Sequence, residues 1–135
     1  MTDILLAKGA IVERCMRRID EEYAGDPDRL RNFTHQDAIV LNIERACQAA
    51  IDMAMHVVAQ EHLGIPQSSG EAFTLLEAAG RINANLAGAL RAMVGFRNVA
   101  VHSYQVLSVD ILKQVIEGSR QDLTAFCQAL GIDIA

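Results

Sequence analysis

The sequence predicts an all-α fold, a helical bundle of four long helices plus one short helix. Three observations predict it. Apolar residues recur at three- and four-residue spacing along nearly the whole chain. Candidate helices begin beside Ser, Thr, Asp or Asn, and most end at Gly. No stretch alternates apolar and polar residues with the period of a strand, and no long internal repeat is visible.

The elements follow in order. The first helix is expected over Thr2–Tyr23, capped by Thr2 or Asp3, with Ile4, Ala7, Ile11, Cys15 and Ile19 as its apolar set. Ala24–Asn32 is a polar connection containing Gly and Pro. The second helix starts near Thr34, with Asp37 three residues on in a capping-box-like arrangement, and ends about Leu63 before Gly64. Val40, Ile43, Cys47, Ala50, Ala54 and Val57 form its stripe. Its length suits a bundle or a dimer seam. Ser68 or Ser69 can cap a short third helix, Glu71–Ala79, closed by Gly80. Asn83 can cap a fourth, Ala84–His102, and Ser108 a fifth, Val109–Leu130, with Gly131 as its stop.

Length and composition narrow the function classes. At 135 residues the chain is one domain's worth, 1–135. It has 51% hydrophobic residues, so it can build a core without staples. No apolar run is long enough to span a bilayer, and the N-terminus lacks a basic region followed by an apolar one. Cys15, Cys47 and Cys127 are widely spaced and odd in number, which fits free core thiols in a cytoplasmic protein. His35, His56 and His62 are scattered, and His56 and His62 do not share a helix face, so no metal and no cofactor is expected. Arg14, Arg17 and Arg18 with Glu13, Asp20, Glu21 and Glu22 read as a solvated face of mixed charge, or as a place for a partner to dock.

The net charge of −5 argues against general nucleic-acid binding. Between Glu77 and Asp110, however, no acidic residue occurs, whereas Arg81, Arg91, Arg97 and His102 all fall there. An anionic ligand belongs in that stretch. Arg97 lies inside the apolar stripe of the fourth helix, with Leu86, Leu90, Met93, Val94 and Val101. A guanidinium there must be paired or face an anion-binding cavity. Glu44 or Asp52 on the second helix could pair it, and His102 near a helix end could simply complement the dipole. Arg91, Gly95, Asn98 and His102 form a second, polar stripe, in which Gly95 would permit close approach of a backbone or ligand. Arg97 and His102 lie about 140° apart around a continuous helix and about 7.5 Å apart along it. They converge on one phosphate only if the helix unwinds or a second copy of the chain supplies the complementary group. A homodimer with a shared site follows from the second option.

The string Arg97-Asn98-Val99-Ala100-Val101-His102-Ser103-Tyr104 resembles the Arg-x4-His motif of the HEPN superfamily of small α-helical ribonucleases. More closely, it is similar to the Arg-x4-His-x-Tyr form of the HepT toxins. The likeness extends to Leu41–Glu44, Leu63–Ser69, Phe73–Leu76 and Met93–Asn98. The resemblance implies a dimeric HEPN-like toxin that cuts RNA. It also implies a nucleotidyltransferase antitoxin, MntA, that transfers AMP to the motif tyrosine, here Tyr104. Arg97 and His102 would be catalytic, with Asn98 and Arg91 supporting them. RNA cleavage by the adjacent 2′-OH needs no metal, and imidazole and guanidinium suit its proton transfers and its charged transition state. The competing expectation is a helical adaptor that binds a phosphate beside a nucleotidyltransferase and performs no chemistry.

Overall fold

A computed structural model describes residues 2–103 and 109–134, with side chains at 3–99 and 109–134. Five helices and one 3-10 turn account for the fold: α1 (Thr2–Tyr23), the turn Pro27–Arg31, α2 (Phe33–Gln60), α3 (Ser69–Ala78), α4 (Ala84–Ser103) and α5 (Val109–Ala129). The expected architecture of four long helices and one short one is therefore present.

Helix α2 is the centre, because it packs on each of the other four helices, most extensively on α1. Its wide apolar face explains this. Val40, Ile43, Cys47, Ala50, Ala54 and Val57 are buried, and so are Ala46, Ala49, Ile51 and Val58 on neighbouring faces. The many alanines let helices approach closely. Phe73 of α3 and Phe126 of α5 meet edge to face, with ring centroids 5.5 Å apart, at the heart of the larger core. A second cluster gathers Ile19, Tyr23, Leu30, Ile39, Ile43 and Leu112 beneath the 3-10 turn.

The helix ends differ from the sequence expectation in instructive ways. Asn32 caps α2, and its side chain accepts from the backbone N–H groups of Thr34 and His35, so the helix starts ahead of Thr34. The connection before it is ordered as the 3-10 turn, with the Asp26 carboxylate accepting from Asp28 N. At the other end α2 stops before Leu63, because His62 takes a left-handed backbone (φ +56). The Leu63 N–H then reaches back to Val58 O at 2.9 Å, the six-to-one bond of a Schellman cap. Helix α5 ends in the same way, with Gly131 (φ +82) in the left-handed position and Ile132 N bonded to Cys127 O at 2.8 Å. Ser68 and Asn83 do cap α3 and α4, accepting from Glu71 N at 3.2 Å and Leu86 N at 2.8 Å. Ser108, the expected cap of α5, lies outside the described residues.

Of the apolar set assigned to α1, Cys15 and Ile19 are buried and Ile11 packs against the core. Ile4 and Ala7 are exposed, and the buried face runs through Val12, Cys15, Met16, Ile19 and Tyr23. Among the described residues, no helix is long and apolar enough to cross a membrane.

Candidate functional site

The acid-free stretch of the sequence carries three arginines, and the fold treats them differently. Arg81, just after α3, is ion-paired with Glu61 past the end of α2. Arg91 on α4 reaches α3, where it donates to Thr74 Oγ1 at 3.2 Å and pairs with Glu77 at 3.3 Å. Arg97, six residues further along α4, turns to α2 instead. Its Nη1 donates to the amide oxygen of Gln48, and its Nη2 donates to Asn98 Oδ1 at 3.2 Å. Its Nε is buried and has no hydrogen-bond partner among the described residues. Neither carboxylate suggested from the sequence, Glu44 or Asp52, forms an ion pair with it.

Arg97 is thus half-buried and held by neutral amides. Neutral acceptors fix a guanidinium without cancelling its charge. It lines an open cleft of about 310 Å³ together with Glu44, Arg45 and Gln48. Its field is felt behind the cleft as well. Burial pushes the Cys47 thiol up to about 11, and the nearby Arg97 charge opposes that rise. Arg45 adds a second cation to the cleft wall.

Asn98 is exposed and next to Arg97, where its carbonyl oxygen accepts from the guanidinium. Arg91 is not brought to the cleft. The backbone of α4 remains helical through Ser103, so unwinding does not bring positions 97 and 102 together. The side chain of His102 and all of Tyr104 lie outside the described residues. Gly95 is exposed, and a Cβ there would meet no described atom within 4 Å.

Arg45 and Gln48 were not singled out from the sequence. They share a face of α2 with Glu44 at three- and four-residue spacing. That pattern marks any exposed helix face, and only the crossing of α4 gives it meaning. Among the described residues, no three His, Cys, Asp or Glu side chains gather as metal ligands do.

Comparison with known proteins bears on this site. Residues 12–130 match the family model described as Ribonuclease HepT-like. The chain is 42% identical over 130 residues to a protein of Shewanella oneidensis named mRNA nuclease HepT, covering 96% of this chain and 98% of that protein. It superposes with a TM-score of 0.91 on a tri-AMPylated Shewanella oneidensis HEPN toxin solved in complex with an MNT antitoxin. That match has 42% identity and covers 97% of this chain and 98% of the other. A crystal structure of a toxin–antitoxin pair, MntA–HpeT mutant Y104A, superposes with a TM-score of 0.87 at 40% identity, covering 95% and 98% of the two chains.

Proposed function

The chain belongs to the HepT-like ribonuclease family, and from that premise we propose that it is an mRNA endonuclease toxin neutralised by AMP transfer to Tyr104 from a nucleotidyltransferase antitoxin of the MntA type. One observation carries the site assignment. Arg97 alone among the three arginines of the acid-free stretch keeps its charge unpaired by any described carboxylate, and it does so at an open cleft.

The chemistry follows from the residue types. The 2′-OH of the RNA attacks the adjacent phosphorus in line, and the 5′-oxygen of the next nucleotide leaves. His102 takes or returns the proton, since imidazole titrates near neutrality. Arg97 donates a charged fork to the phosphorane oxygens as their negative charge grows. Asn98 steadies the guanidinium, whereas Arg91, paired with Glu77 on α3, stands outside the cleft. No metal takes part in this reaction.

Because α4 is continuous, positions 97 and 102 of one chain lie about 140° apart around it. This supports a homodimer in which Arg97 of one copy and His102 of the other face a single cleft. Tyr104 lies two residues beyond His102, so AMP attached there brings negative charge and bulk to the place the RNA phosphate would occupy. Arg97 then binds the modification in place of the substrate. The cytoplasm, where mRNA and antitoxin both reside, is the compartment this reading requires.

The test uses the purified protein, a defined mRNA and a chelator. Wild type should yield 2′,3′-cyclic phosphate ends, and Arg97→Ala and His102→Ala should each lose at least about 100-fold in cleavage rate. Co-expression with the nucleotidyltransferase should add about 329 Da per AMP, and Tyr104→Phe should block that addition. Cleavage at the wild-type rate by pure His102→Ala overturns the nuclease assignment, and no cleavage by wild type under any condition, with partner binding retained, favours the non-catalytic adaptor.

A further inference from the structure

Four side chains from three helices form a line that ends at Arg97. Lys8 of α1 pairs with Asp52 Oδ2 of α2 at 2.9 Å. Asp52 Oδ1 accepts from the Gln48 amide Nε2 at 2.9 Å. The Gln48 amide oxygen accepts from Arg97 Nη1. The order is chemically forced. An ionised carboxylate only accepts, and a guanidinium only donates. Reversing the Gln48 amide would set its NH2 against the guanidinium and its oxygen against the carboxylate, and both contacts would repel.

Residue type matters at position 48. A glutamate there would grip Arg97 harder but would neutralise it, and it would sit beside Asp52 with the same charge. A leucine would leave the guanidinium without its anchor, next to a buried Nε that already has no described partner. Glutamine fixes the group and leaves its charge free. We propose that Gln48 is a positioning residue for the nuclease reaction, with Asp52 and Lys8 holding its amide, and that its neutrality keeps the Arg97 charge available to the scissile phosphate. This inference rests on Arg97 being catalytic, as proposed above.

The experiment measures kcat and KM for a defined RNA with Gln48→Leu, Gln48→Glu and Arg97→Ala in the purified full chain. Gln48 is exposed, so circular dichroism should match wild type for both variants at position 48. A displacement of about 1 Å in a catalytic group can cost on the order of 100-fold. Gln48→Leu should therefore lower kcat about 10- to 100-fold, with KM changed less than about threefold. Gln48→Glu should lose at least about tenfold at pH 8 although it can keep the hydrogen bond.

The outcomes separate cleanly. If Arg97→Ala cleaves as wild type, the catalytic reading of Arg97 fails. If Arg97→Ala is inactive while Gln48→Leu keeps the wild-type kcat, or loses only in KM, positioning by Gln48 is overturned. If Gln48→Glu is as active as wild type, the requirement for a neutral anchor is overturned, and that result stands even if the leucine variant does not fold.

Discussion

Gly9 of α1 lies against Ile132 so closely that a Cβ on the glycine would stand 2.7 Å from Ile132 Cγ2. Ile132 is buried, and its branched side chain has little rotamer freedom. The contact seats the segment after α5 on the first helix. Gly9→Ala gains about 1 kcal/mol of helix propensity but overpacks a stiff neighbour, at a cost of about 1–3 kcal/mol. A net loss of stability is expected in urea denaturation. In the Ile132→Ala background the same change should become stabilising, because the clashing methyl is gone. Additive effects of the two changes would contradict direct contact.

The ends of α2 and α5 predict opposite responses to one kind of change. His62 and Gly131 occupy equivalent left-handed positions, at φ +56 and φ +82. A residue with a Cβ pays about 1 kcal/mol there. His62→Gly should raise stability by about that amount, and Gly131→Ala should lower it by about the same. Thermal melts of the two variants, expected to shift in opposite directions, check this.

Asp122 borders an apolar groove of about 270 Å³ between α4 and α5, with Met93, Phe96 and Val115 around it. Burial pushes its carboxyl above the ordinary aspartate value. The folded chain then holds that proton more tightly than the unfolded chain does. The group therefore subtracts stability above its folded pKa, and the loss disappears as the pH falls below the unfolded value. Asp122→Asn should raise Tm by about 2 °C at pH 7 and by nothing near pH 3. An equal gain at both values would show that titration is not the cause.

Burial pushes the Cys47 and Cys127 thiols to about 11 and raises that of Cys15 as well. All three are buried, and at neutral pH they are protonated. The thiolate is the reactive form. A disulfide reagent at pH 7.5 should label the native protein at least about 100-fold more slowly than the protein in denaturant, where three thiols react. Fast labelling of one thiol in the native protein would show that its helix opens locally.

The sequence by itself determined the helix count, the buried stripe of α2 and the cap at Asn83, and it narrowed the cap of α3 to Ser68 or Ser69. Each depends on neighbours within a few residues along the chain, and local spacing encodes them directly. It also marked Arg97, because a cation in an apolar stripe needs a reason. It did not see that Ile4 and Ala7 in the first turns of α1 would be exposed, nor that α2 would end at Gln60, with His62 in the left-handed position, rather than run on to Leu63. Those outcomes depend on packing against distant segments, which compensates locally unfavourable choices. Tertiary structure alone decided what Arg97 would meet. Arg91 and Arg97 lie six residues apart on one helix, yet α3 gives the first a carboxylate and α2 gives the second an amide. Which arginine keeps its charge is therefore set by how α4 crosses its neighbours, since electrostatic pairing acts through space and not along the chain.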